Sequence, residues 1–128
     1  MRIHIYEATV SKVVDGDTID LLIDQGFGNF TEQRMRLYGV NAAEIKTKEG
    51  KRVKREVQIA IEQKKIVVQS VQRKVQSRDK YGRYLAVVHF DWPSSSLPIA
   101  NGDKINDAAP ISFNAKMLKD GLAEERYW

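Results

Sequence analysis

The sequence predicts an α+β fold, mainly β and built as one domain, on three observations. Over the first two-thirds of the chain, apolar and polar residues alternate with the period of two that marks strands. One stretch after Gly50 changes to helical spacing. The length of 128 residues suits one domain with a sizeable core, expected to span 1–128. Five strands wrapped about one inserted helix, with a short helix near the end, describe a small five-stranded barrel of the OB type. Periodicity alone is equally compatible with an SH3-like barrel or a ferredoxin-like sheet.

Residues 3–14, rich in Val, Ile, Thr and Tyr, form the first expected strand. Asp15-Gly16 marks a tight turn, because Gly accepts positive φ and Asp tolerates it. Thr18 to Asp24 alternates cleanly, with Ile19, Leu21 and Ile23 on one face and Thr18, Asp20 and Asp24 on the other. Gln25 to Asn29 holds two glycines and turns the chain again. Gln33 to Val40 sets Met35 and Leu37 against Arg34, Arg36 and Tyr38. Val53, Val57, Ala60, Ile61 and Lys64 then trace a helical stripe, which predicts a helix from about Lys51 to Lys65. Ile66 to Val75 returns to strand composition, Asp79 to Gly82 is a turn, and Arg83 to Phe90 is the next strand. Residues 91–110 carry all three prolines, three consecutive serines and an Asn-Gly pair, and read as a surface loop. A helix from Asn114 to about Lys119 closes at Gly121, a suitable C′ residue.

Composition removes several classes of function. Without cysteine there is no disulfide framework, thiol nucleophile or Cys-based zinc site. His4 and His89 are too far apart in sequence for an HExxH motif. Apolar runs are too short for a membrane span or a secretory leader, so the expected location is cytoplasmic, with no membrane partner. The formal net charge is +4, compatible with a polyanionic partner. Its distribution is uneven: residues 46–55 hold six Lys/Arg and one Glu, and Arg73 to Arg83 form a second basic stretch. By itself a basic run is most simply a solvated face.

Three strings hold chemically suggestive residues. Asp15-Gly16-Asp17-Thr18 reads alone as a hairpin turn, yet residues two apart in extended chain project to one side. Asp15 and Asp17 in that arrangement would offer carboxylate oxygens to a hard cation such as Ca²⁺. Arg36 lies eight residues before Glu44, so a strand ending there would bring a cation, the neutral oxygen of Asn41 and a carboxylate to one rim. Arg83 follows Asp79-Lys80-Tyr81-Gly82, where a basic residue ordinarily decorates a hairpin.

Together, in this order, these strings resemble the thermonuclease family, the staphylococcal-nuclease-like OB-fold enzymes. The matching residues are Val14 to Thr18, Arg36 to Glu44, Asp79 to Arg83 and the tail Asn114 to Ala123. The resemblance implies a Ca²⁺-dependent nuclease acting on DNA and/or RNA, cutting P–O5′ to leave a 3′-phosphate. It implies Asp17 as the metal carboxylate, with Asp15 acting through water in the outer shell. Position 41, often a second metal-binding Asp, is Asn41 here, and Ala42 would ligate through its backbone carbonyl. Glu44 matches the general base, and Arg36 and Arg83 match the two arginines that grip the phosphate. Tyr81 and Tyr127 match aromatic residues near the nucleotide, and Lys80 lies beside them in the same basic string.

The chain departs from the pattern at Asn41, a neutral ligand that implies a weaker metal site, and at Ala43, where relatives carry Pro. The alternative function is a catalytically silent OB module that binds single-stranded nucleic acid. Silenced copies typically lose the arginines and the base, whereas this chain keeps Asp17, Arg36, Glu44 and Arg83. Single-stranded substrate, a monomer and a phage- or mobile-element origin complete the expectations.

Overall fold

A computed structural model describes residues 4–71, 84–91 and 103–127. The elements in chain order are β1 (Ile5–Asp15), β2 (Thr18–Asp24), β3 (Phe30–Leu37), β4 (Val40–Asn41), α1 (Lys48–Ile61), β5 (Lys65–Val71), β6 (Tyr84–His89), α2 (Ile105–Ala108), α3 (Phe113–Lys119) and β7 (Glu124–Glu125). Five strands close a barrel in the order β1-β2-β3-β6-β5, and β4 pairs with β7 in a separate two-stranded sheet. Every barrel pairing is antiparallel except that of β3 with β6. The expected OB-type barrel with its inserted helix is therefore the fold.

Alternation decides which side chains go inward. Ile19, Leu21 and Ile23 of β2 are buried with Met35 and Leu37 of β3, Val10 and Val13 of β1, and Ile66 and Val68 of β5. Helix α1 adds Val53, Val57 and Ile61 to the same cluster, one residue per turn from a single stripe. Fully burying each such side chain contributes roughly 1.5–3 kcal/mol. β6 is covered on both faces. Ala86 and Val88 join the barrel interior, while Leu85 and Val87 pack with Tyr38, Ile105 and Ala109. α2 therefore lies inside the stretch expected to be loop, and Ile105, fully buried, anchors it.

α1 starts three residues earlier than its apolar stripe suggests. Thr47 is the N-cap, accepting the amide of Gly50 at 2.9 Å, and its first turn is polar, so periodicity becomes visible only at Val53. The helix stops at Ile61 rather than Lys65, because Gln63 takes φ +64° and donates its amide to the Val10 carbonyl at 2.7 Å. The end of α1 is thus fastened to β1, and Lys65 already belongs to β5. α3 is capped by Ser112, and Gly121, at φ +72°, follows its C-cap as expected.

β1 carries two register shifts, between Val10 and Lys12 and between Val13 and Asp15. The amide of Val13 goes to the Glu62 carboxylate just past α1, at 2.9 Å. Such irregularities bend a strand and re-aim its side chains. The second one lies immediately before Asp15 and so sets the approach to the turn that carries Asp15 and Asp17.

Candidate active site

The β1–β2 turn, β4 with the segment that follows it, and the start of α1 meet at one rim of the barrel. Asp15 and Thr18 are cross-strand partners in the first turn, and Thr18 is paired with Arg36 across β2 and β3. Sheet register alone therefore brings the DGDT string beside Arg36. The Asp17 amide donates to Asp15 Oδ1 at 3.2 Å, an Asx-type contact that holds the turn. The Leu37 amide donates to the Asp17 carbonyl at 2.8 Å, tying the same residue to β3.

Asp17 is the most constrained of these side chains, at 7% exposure. Its Oδ2 accepts the Ala42 amide at 2.9 Å and lies 3.4 Å from Arg36 Nη2. Its Oδ1 accepts the Thr18 hydroxyl at 3.2 Å. Arg36, 6% exposed, also directs Nη2 to Asn41 Oδ1 at 2.9 Å and to the Val40 carbonyl at 3.4 Å. Two residues along the same hairpin, Arg34 grips Asp20 with two nitrogens at 2.8 and 3.1 Å, and that pair is exposed. The buried arginine has the looser hold on its carboxylate.

Burial pushes the Asp17 carboxyl up to about 6, helped by a side-chain hydrogen bond and charge repulsion from Asp15. Arg36 and the Ala42 amide pull it down without overcoming the loss of water. The buried Asp17 carboxyl beside the half-buried Asp15 forms an electrostatic imbalance that a cation would relieve. The donor set is all oxygen: Asp15, Asp17, and the second lone pair of the Asn41 amide oxygen. That chemistry fits a hard ion such as Ca²⁺, which completes its six to eight ligands with carbonyls and water. Among the described residues, no group of three His, Cys, Asp or Glu side chains is gathered for a metal, so any such ion would depend heavily on neutral oxygens.

Glu44 is exposed, two residues beyond Ala42. Its carbonyl accepts both the amide and the hydroxyl of Thr47, at 3.0 and 2.7 Å. Thr47 in turn caps α1, so the loop bearing Glu44 is fixed to the helix start. The sequence reading missed Thr47; a capping Thr ahead of a charged first turn was the signal that could have found it. The basic run 46–55 continues from Glu44 into α1, and Lys51, Arg52 and Arg55 are exposed along it.

Two further expectations have different outcomes. Arg83, Tyr81 and Lys80 lie outside the described residues. Tyr127 lies over Gly39, edge-on to Tyr38 with ring centroids 5.3 Å apart. Its hydroxyl accepts the Ile105 amide at 2.8 Å and donates to Glu125 at 2.7 Å. Burial, then Glu125, raises that hydroxyl far above the ordinary phenol range. The Lys104 ammonium lies 4.2 Å from the ring centroid. Tyr127 thus fastens the β4–β7 sheet to α2, and its ring is committed to the chain's own groups.

Residues 34–128 match the family model described as staphylococcal nuclease homologue. Protein ParB of Escherichia coli is 27% identical over 114 residues, an alignment covering 89% of this chain and 54% of the relative. The chain spans about half the length of that relative. No helix among the described residues is long and apolar enough to cross a membrane.

Proposed function

The chain belongs to the staphylococcal nuclease homologue family, and from that premise we propose that it is a Ca²⁺-dependent nuclease hydrolysing phosphodiester bonds in DNA and/or RNA. The observation that carries the reading is a buried guanidinium, Arg36, held between the Asp17 carboxylate and the Asn41 amide at the rim where Glu44 stands exposed.

In this reading one phosphate oxygen meets Arg36, whose long 3.4 Å contact with Asp17 is readily exchanged for a closer anionic partner. Arg83 supplies the second guanidinium. Glu44 takes a proton from the attacking water, and the P–O5′ bond breaks to leave a 3′-phosphate. General-base assistance of this kind contributes about 10²–10⁴-fold. Asp17, Asn41 and the Ala42 carbonyl would hold the cation, and Asp15 would contribute its charge from beside them. When bound, Ca²⁺ supplies positive charge against the anion that grows as water adds. Preorganised donors cost no reorganisation during the reaction, and this rim is built of buried, mutually bonded groups. The basic run 46–55, together with Lys80, attracts the polyanion. Tyr81 serves as a platform for a single-stranded base, while Tyr127 is taken up in fastening the β4–β7 sheet to α2. A single domain over 1–128, acting as a monomer in the cytoplasm, completes the proposal.

Digestion of single-stranded DNA tests it, with Ca²⁺, with chelator, and with the variant Glu44→Gln. Cleavage that chelator abolishes and that Glu44→Gln lowers by roughly 10²–10⁴-fold supports the nuclease. Tight, salt-sensitive binding without cleavage at any Ca²⁺ concentration would replace it with a silent binding module.

A further inference from the structure

A second feature of the rim concerns how Glu44 is held. Gly50 lies in the first turn of α1 and is buried, where helix propensity alone favours Ala over Gly by about 0.8–1 kcal/mol. The reason for glycine is contact. A Cβ at position 50 would lie 1.8 Å from the Glu44 carbonyl oxygen, 2.4 Å from its carbonyl carbon and 2.9 Å from the Ala43 carbonyl oxygen. All three are backbone atoms, which no rotamer change can move aside. The same carbonyl oxygen accepts both bonds from Thr47, whose own hydroxyl accepts the Gly50 amide. Glu44, Thr47 and Gly50 thus form one interlocked unit at the helix start.

The opposite side of the segment is equally close. A Cβ at Gly16, in the β1–β2 turn, would lie 2.7 Å from both Ala42 Cβ and Val53 Cγ1. The stretch from Ala42 to Glu44 is therefore gripped between the turn bearing Asp15 and Asp17 and the first turns of α1. Side chains larger than hydrogen at 16 or 50 would wedge it away from one of them.

We infer that Gly50 and Thr47 are positioning residues for Glu44: the glycine admits the Glu44 backbone against α1, and the threonine fixes its carbonyl there. This rests on the proposed role of Glu44 as general base and goes beyond it by assigning what places that base. Adding a methyl at 50 forces the Glu44 backbone outward by more than an ångström, since a Cβ essentially never approaches an oxygen within 3.0 Å. Displacements of that size at a reacting group cost on the order of 10²-fold in rate.

The test is a double-mutant cycle on single-stranded DNA at saturating Ca²⁺, with kcat, KM and the thermal midpoint measured for Gly50→Ala, Glu44→Gln and the pair. The expected result is a kcat lowered by roughly 10–100-fold in folded Gly50→Ala, with KM within about threefold of wild type. In the Glu44→Gln background, adding Gly50→Ala should lower kcat no further, because the group it places is already gone. Losses that multiply in the pair, or an unchanged kcat in Gly50→Ala, overturn the inference. Where Gly50→Ala does not fold, Thr47→Val and Thr47→Ser decide: Val should reproduce the kcat loss in the same non-additive way, and Ser should restore most of it. Equal activities of the two overturn the inference. Full activity in Glu44→Gln alone is a different result, removing the assigned role of Glu44 and the inference with it.

Discussion

Two buried polar side chains on the β3 side of β6 show how differently this barrel treats its frame and its rim. Asn114, fully buried on α3, donates to the carbonyls of Tyr38 and Ala86 at 2.9 and 3.0 Å and accepts the Val88 amide at 2.9 Å. A neutral amide is matched there to fixed backbone groups, and three separate parts of the chain are joined. Arg36 is almost as buried, and its Nη2 lies 3.4 Å from both Asp17 and the Val40 carbonyl and 2.9 Å from Asn41. Its carboxylate partner is pushed up to about 6. The first arrangement is complete without a ligand. The second carries an imbalance of charge that an anion beside Arg36 and a cation beside Asp17 would correct. Opposite charges gathered under burial are what a site retains when the rest of a fold has optimised its contacts.

The sharpest way to break this contrast is Asn114→Ala. It leaves an amide and two carbonyls buried without that partner, and the expected destabilisation is roughly 3–5 kcal/mol by urea unfolding. Turnover per folded molecule should stay within about threefold; a small loss of stability would show that the amide is not the frame joint described here.

A smaller effect is expected from Asp17→Asn, and it is read against pH in metal-free buffer. Between the ordinary carboxyl range and about 6, folded Asp17 keeps a proton that the unfolded chain releases. Its contribution to stability is therefore present at acid pH and lost as pH rises through that window. Relative to Asp17→Asn, wild type should lose on the order of 1–3 kcal/mol between pH 4 and pH 7. Taking the difference between the two proteins cancels buried His89, whose depressed pKa gives the opposite slope. Parallel stability curves would count against the burial of the Asp17 carboxyl as the source of its raised pKa.

The smallest effect concerns Asn41→Asp, which adds a third negative charge to the rim. Half-saturating Ca²⁺ for cleavage should fall by about threefold or more, since affinity follows the charge of the ligands. Equal half-saturation in the two proteins would mean that Asn41 serves Arg36 alone.

Much of this was legible in the sequence because the responsible signals are local. Ile19, Leu21 and Ile23 alternate without interruption, and Asp15-Gly16 marks the turn before them, although Gly16 is needed there for close approach to Ala42 and Val53 and not for a positive φ. Once β2 and β3 pair antiparallel, Arg36 must face Thr18, so the central part of the rim follows from two strands and a hairpin. What remained hidden depends on contacts distant in sequence or on the absence of a side chain. β4 and β7 are two residues each and owe their pairing to Tyr127 and α2, a joint that no periodicity announces. Asn114 looks like an ordinary helix residue until β6 is folded beneath it. Gly50 reads as the boundary before a helix starting at Lys51, because sequence shows neither the Glu44 carbonyl pressed against it nor the cap that fixes that carbonyl.

The parallel seam between β3 and β6, Met35 to Leu37 against Tyr84 to Ala86, imposes an order on assembly. A ribosome must deliver the chain as far as His89 before the cylinder can shut, long after β1, β2 and β3 are available to zip locally. Until that late strand arrives, β3 and β5 stand as bare edges able to recruit a neighbour's backbone. Nascent chains stalled short of residue 84 should therefore clump where the finished protein does not, and closure across this distance makes folding slower than a helical protein of equal length would need.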